Sequence, residues 1–367
     1  MTPDEPPIRV VMVVPPAATA DHDDVLDRAP TLTRVLRELV ADPRVVASAC
    51  CATMNSAAEV YRDGVRYDFV GVERLAAAVA ARRPSVVHVH GTGFVRTLRE
   101  LDKVLPASTA VVVQHHGEPP GPWRNRIGHR LLRGRVDGWL FTGAIHGQAD
   151  PFRRAGIIRG DDRVFDVLEA ASLLTVAPAS TASAVALAGD PAVLWVGRLI
   201  EPKDPLTAIR AFGFAADRLP RAHLHVLATD RALEAAVRSA IVELGEGSRR
   251  VHVHDPVDHA AMRGWYASAD VLLSTSRREG SNYSLIEAMT EGSTPVVTGL
   301  PSHRAIVGPF LPTFPVGDAR AAAELLVGAA VTDRSAVLTW AAHHLSWSTV
   351  TEQLVAAYRE VLRPLGC

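Results

Sequence analysis

The sequence predicts an α/β protein made of two doubly wound domains in tandem, and three observations lead there. The chain has 367 residues, too many for one ordinary core. Short valine-rich runs alternate with segments of helical period, the pattern of parallel sheets wrapped by helices. That alternation stops in an Ala/Ser/Thr-rich passage and then begins again. The expected layout is a first domain over residues 1–172, a passage over 173–190, a second domain over 191–346 and a closing helix over 347–367.

In the first domain the predicted strands are RVVMVV (9–14), VVASAC (45–50), SVVHVH (85–90), TAVVVQ (109–114) and GWLF (138–141). Helical stretches such as TLTRVLRELVAD and VERLAAAVAARR sit between them. The passage SLLTVAPASTASAVALAG has little periodicity and reads as a connection. The second set of strands is AVLWVG (192–197), HLHVLA (223–228), RVHVH (250–254), DVLLST (270–275) and TPVVTG (294–299). Two helical stretches follow from Ala319, and STVTEQLVAAYREVL closes the chain. Open parallel sheets bind ligands off the carboxyl ends of their strands, in the cleft two such domains would face, so site residues are sought just after strands.

Bulk properties exclude several classes. The formal net charge of -1 creates no field that would recruit nucleic acid. The three cysteines, Cys50, Cys51 and Cys367, form neither a disulfide framework nor a zinc-ligand spacing. No apolar run is long enough to span a bilayer, and MTPDEPPIR lacks the basic-then-apolar order of a signal peptide. A cytoplasmic location is expected. No metal is expected either, since no convincing Asp-x-Asp metal motif follows a strand.

The stretch EGSNYSLIEAM (279–289) carries two glutamates with seven residues between them. It follows the strand DVLLST and turns into a helix that ends near Gly292. Residues Gly280, Ser281, Asn282, Tyr283 and Ser284 then form a strand-to-helix turn whose backbone N–H groups suit a phosphate. Glu279 and Glu287 flank that turn, and carboxylates hold hydroxyl-rich groups by accepting two hydrogen bonds at once. The alternative is an ordinary surface turn with an acid offsetting the helix dipole. After the first strand of the second domain, GRLIEPKDP brings Arg198 and Lys203, a pair suited to a diphosphate. The alternative there is a solvated arginine and a lysine paired with Asp204.

Residues 192–308 resemble the nucleotide-sugar domain of the retaining GT-B glycosyltransferases of family 4. The matching pieces are VGRLIEPKDP, ADVLLSTSRREGSNYSLIEAM and GSTPVVTGLPSHRAIV, and LSWSTVTEQLVAAYREVL resembles the family's last helix. The resemblance implies a GT-B fold with two Rossmann-like domains facing a cleft, and a closing helix that returns to the first. It implies a nucleotide sugar donor, a small-molecule or lipid-linked acceptor, retention of configuration, and no cofactor or metal. It implies that Arg198 and Lys203 hold the diphosphate, Glu279 the sugar hydroxyls and Glu287 the ribose. The backbone of Ser281 to Ser284 would meet the sugar and phosphates, and HVHDPV (252–257), with Val257, the base.

Matches in the first domain are fewer. VVHVHGTGF resembles the family's strand ending in H-x-H-G, with His88 and His90 at its end. VVVQHHGEPP resembles the strand whose His-Gly reaches the donor sugar; His116 directly precedes Gly117 and is the better match, His115 the alternative. For His88 the expectation is an ordinary hydrogen-bonded core residue. The loop after the first strand, PPAATADHDD, departs from the family in having no glycine, and Ser281-Asn282-Tyr283 stands where relatives often have Phe-Gly. WRNRIGHRLLRGR (Trp123 to Arg135) carries five arginines and reads as a solvated helical surface, with a peripheral contact to an anionic membrane or a phosphorylated acceptor as the alternative. The expected function is a retaining, metal-independent glycosyl transfer to a hydroxyl or amine. The alternatives are a sugar-nucleotide epimerase or hydrolase and a catalytically silent nucleotide-sugar-binding module. VVMVVPPAATA has no G-x-G-x-x-G, which argues against an NAD-dependent oxidoreductase.

Overall fold

The computed structural model describes residues 6–14, 22–27, 29–54, 56–174, 185–309 and 311–364. Residues 15–21 of the glycine-free loop after the first strand, most of the passage and Cys367 lie outside these residues. The chain divides into two compact units, residues 1–170 with 347–367, and residues 171–346.

The first unit holds an eight-stranded sheet. Its strands are β1 (Ile8–Val14), β2 (Val45–Thr53), β3 (Ala58–Arg62), β4 (Val65–Gly71), β5 (Val86–His90), β6 (Ala110–Gln114), β7 (Gly138–Phe141) and β8 (Val164–Asp166). Their order is β3-β4-β2-β1-β5-β6-β7-β8, and every neighbouring pair is parallel except β3 and β4. Five of these strands form where the valine runs predict them. Val87, Val89, Val111 and Val113 are buried against Leu98, Leu101 and Phe152, so near-continuous apolar strands follow from helices covering the sheet.

Two features are additional to the predicted strands. The hairpin β3–β4 turns at Asp63 (φ 52°) and Gly64 (φ 77°), the left-handed pair that a two-residue hairpin requires. Its first strand alternates half-buried and exposed residues at the sheet edge, so it offers no apolar run. β8 is only three residues long and half-buried, too short to register as a period.

The last helix, Trp347–Leu362, belongs to this first unit. It buries Val350, Leu354, Val355, Tyr358 and Val361. Polar ties fix its register: Leu168 N donates to Gln353 Oε1 at 2.8 Å, and Arg163 Nη1 to the Glu360 carbonyl at 2.7 Å.

The second unit holds five parallel strands, β9 (Ala192–Gly197), β10 (His223–Ala228), β11 (Val251–His254), β12 (Val271–Ser274) and β13 (Thr294–Val297), in the order β11-β10-β9-β12-β13. All five lie where the sequence predicts them. The chain leaves β9 toward β10 on one side and later returns to place β12 on the other. The loops after β9 and β12 therefore open beside each other at the switch point, where open sheets of this kind bind ligands.

Candidate active site

In the second unit those two loops meet. Lys203 follows β9, Glu279 follows β12, and Lys203 Nζ lies 2.5 Å from Glu279 Oε1. Ser276 Oγ donates to the same oxygen at 2.7 Å, and Ser302 Oγ to the Glu279 carbonyl at 3.3 Å. The Glu279 side chain is only 9% exposed and that of Lys203 23%, so the pair sits at the rim and not in bulk water. Asp204, the partner weighed for Lys203, instead caps the helix Pro205–Ala215 through the Thr207 N–H, and Arg277 Nη2 lies 2.9 Å from its carboxylate. Arg198 is exposed, with its side chain unpaired among the described residues.

The turn after Glu279 is built to hold a helix start still. Asn282 is the N-cap of Tyr283–Thr290, with Oδ1 accepting from the Leu285 N–H at 3.2 Å. Its Nδ2 donates to Ser274 Oγ at 3.0 Å and to His303 Nε2 at 3.1 Å. His303 Nδ1–H in turn donates to the Thr298 carbonyl at 2.9 Å. Burial pushes His303 down to about 4, so it stays neutral and can accept from Asn282. Ser281 Oγ is buried with no hydrogen-bond partner among the described residues, an orphan of the kind a ligand satisfies. The helix stops at Thr290, and Gly292 (φ 90°) takes the left-handed position beyond it.

Glu287 lies one helical turn inside and is buried. His259 Nε2 approaches its Oε1 at 2.8 Å, and the carboxylate raises the His259 pKa above its ordinary value. Val257 is half-buried in the loop after β11. The neighbouring rings are already engaged: His252 Nε2 meets His223 Nδ1 at 2.8 Å, and His254 Nε2 meets His225 Nδ1 at 3.0 Å.

In the first unit the histidines after β5 and β6 separate into two kinds. His115 is buried, stacks on Phe141 at 4.9 Å, and its Nε2 donates to the Glu118 carbonyl at 3.0 Å. His88 is fully buried, bonded to the Tyr358 hydroxyl at 2.7 Å, and pushed down to about 3 by burial. His116 is open: its side chain is 30% exposed, and with His90, Glu169 and Val14 it lines a pocket of about 130 Å³. His116 Nδ1 lies 2.5 Å from Glu169 Oε1, and His116 Nε2 3.0 Å from His90 Nδ1. Burial opposes charge on His116, but the Glu169 carboxylate, with Glu118, carries its pKa above the ordinary value. A protonated His116 donates to both neighbours, which leaves the His90 proton on Nε2, 3.4 Å from Met12 Sδ.

Glu169, Ser276 and His303 are additional to the site residues the sequence predicts. Glu169 follows a strand too short to see, and Ser276 lies one residue beyond a predicted one. His303 stands inside GSTPVVTGLPSHRAIV, where its role depends on a contact with Asn282, 21 positions earlier.

Comparison with known proteins settles the fold class. A sucrose-phosphate synthase from Thermosynechococcus elongatus superposes with a TM-score of 0.70 over 96% of this chain and 99% of its own, at 16% identity. An E. coli structure described as trehalose-6-phosphate bound with UDP-2-fluoro glucose superposes with a TM-score of 0.64 over 96% of this chain and 97% of its own, at 11% identity. At such identities the likeness speaks to the fold alone, and that fold is the α/β, parallel-sheet GT-B architecture. Residues 190–329 match the family Glycosyl transferases group 1, so the second unit carries a domain of that kind. A D-inositol 3-phosphate glycosyltransferase of Arthrobacter sp. (strain FB24) is 28% identical over 243 residues, which is 63% of this chain and 54% of that one. The aligned region thus spans about half the length of this curated relative.

Proposed function

We infer that the protein transfers a sugar from a nucleoside diphosphate sugar, of UDP or GDP type, to an acceptor hydroxyl or amine with retention of configuration. The observation that carries this reading is the meeting of Lys203 and Glu279 at the switch point of the second sheet, beside a capped helix N-terminus with an orphaned Ser281 hydroxyl. The E. coli neighbour holds UDP-2-fluoro glucose, which suits a UDP-type donor.

In this reading the bond from the anomeric carbon to the diphosphate breaks, negative charge grows on the leaving group, and positive charge grows on the sugar ring. Lys203, Arg198 and the backbone of Gly280 to Ser284 meet the negative end. Preorganised donors of that sort are commonly the largest catalytic term. They also give the diphosphate its counter-charges without a metal. Glu279 holds sugar hydroxyls, Glu287 the ribose, and the backbone around Val257 the base. The acceptor oxygen bonds to the anomeric carbon and its proton passes to the departing phosphate. His116 takes the role the resemblance implies, a hydrogen bond to the transferred sugar; His115 has its ring committed to the core.

The test is a thermal-shift panel of nucleoside diphosphates and their sugars, followed by incubation of each binder with and without candidate acceptors. A tight binder raises the melting point by mass action. No stabilisation by any nucleotide overturns the reading. Rapid full conversion of donor without acceptor replaces it with a hydrolase or epimerase, and binding without turnover with a silent module.

A further inference from the structure

We propose that the helix Trp123–Leu131 is a docking surface for an anionic lipid bilayer. The buried side of the helix is fixed by close packing. Gly128 leaves no room for a Cβ against Val95, and His129 Nε2 donates to the Thr92 carbonyl at 2.6 Å. The opposite side is where apolar residues should be absent. Instead Trp123 is 63% exposed, Ile127 45% and Leu131 75%. They recur every fourth residue, so at about 100° per residue they form one stripe roughly 80° wide.

Arginines border the stripe on both sides, Arg124 on one and Arg126 with Arg130 on the other, all exposed. Their hydrogen bonds are to backbone carbonyls: Arg126 Nε to Gly121 at 2.8 Å and Arg130 Nη2 to Ala155 at 2.9 Å. The Arg124 guanidinium stands 5.4 Å over the exposed Trp123 ring. Among the described residues none of the three is paired with a carboxylate, and residues 119–136 contain no acidic residue at all. An exposed Trp-Ile-Leu ridge between unneutralised arginines matches an interface with acyl chains below and phosphate headgroups above.

The experiment is flotation of the full chain with vesicles of phosphatidylglycerol mixed into phosphatidylcholine, against phosphatidylcholine alone. Binding is expected only to the anionic vesicles, and it weakens as salt rises. Arg124→Gln should weaken it about fivefold, the worth of one cation at such a surface. Leu131→Ser should weaken it about tenfold or more through lost apolar burial. Both sites are exposed, so the melting temperature should not move. Absence of binding to anionic vesicles, or variants that bind as the wild type does, overturns the proposal. So does a concentration-dependent dimer that Leu131→Ser abolishes, which would assign the stripe to a second copy of the chain.

Discussion

Lys203→Ala tests the diphosphate assignment, and the structure gives its size in two parts. In the free protein the substitution strips the cation from a carboxylate that is 9% exposed. Breaking a fully buried pair costs about 3–5 kcal/mol. Here the lysine is 23% exposed and the Ser276 hydroxyl still donates to Glu279, so about 1–2 kcal/mol is expected. In a domain of 150–250 residues that lowers the melting point by roughly 2–8 °C. The larger effect is on the ligand. A hydrogen bond to a charged group contributes about 1.5–3 kcal/mol, so the dissociation constant for UDP or GDP should rise about 10- to 100-fold. At a nucleotide concentration 100 times the wild-type constant, ligand stabilisation is about 2.7 kcal/mol. A constant 30-fold weaker leaves about 0.9 kcal/mol at the same concentration. The assay is the melting point of each protein with and without nucleotide, the difference being read within each variant so that the intrinsic loss cancels. Glu279→Ala is the informative partner. It releases Lys203 from its internal counter-ion, so the diphosphate alone should bind at least as well as to the wild type, while transfer falls on the order of a hundredfold. A Lys203→Ala protein that keeps the full nucleotide-induced shift would refute the assignment, and weakened diphosphate binding in Glu279→Ala would refute the competition between carboxylate and phosphate.

Two further predictions concern the fold and its titrating groups. His116 has a folded pKa raised above 6.5, so its pairing with Glu169 stabilises fully below that value and fades as pH rises through the folded value. Urea midpoints of Glu169→Gln should therefore trail the wild type most between about pH 5 and 6 and converge at higher pH; a gap that widens above pH 7 would reverse the sign. Gly308 has φ 71°, and a Cβ there would run into the Trp340 indole, whose Nε1 donates to the Ile306 carbonyl at 2.8 Å. Gly308→Ala should lower stability in urea by about 2–4 kcal/mol through backbone strain and overpacking together, and a loss under about 0.5 kcal/mol would contradict the geometry.

The ten predicted strands all form, because most are valine-rich runs covered on both faces and even the half-buried edge strand β11 keeps a Val-His alternation, signals carried by neighbours in the chain. The hairpin β3–β4 had a local signal as well, Asp63-Gly64 between alternating residues, but its edge strand is polar on one side and looks like loop. Pairings across the sheet were not legible. Lys203 was weighed against Asp204, its neighbour in sequence, yet its partner is Glu279, 76 residues on, because β9 and β12 lie side by side.

By itself, then, the sequence determined the strand and helix periods, the restart that marks a second sheet, and the turn chemistry of EGSN before an apolar helix. All of these depend on residues a few positions apart. Only the tertiary structure decided which histidine of the adjacent pair His115–His116 faces a pocket. Alternation along an extended segment sends successive side chains to opposite faces, and which face is covered by Phe141 and Phe152 depends on strand order. It also decided that Glu169 and His90 flank His116, and that the closing helix reaches His88 through Tyr358, since those contacts join segments 53, 26 and 270 residues apart. Electrostatic and hydrogen-bonding partners are fixed by distance in space, and that distance exists only once both sheets have formed.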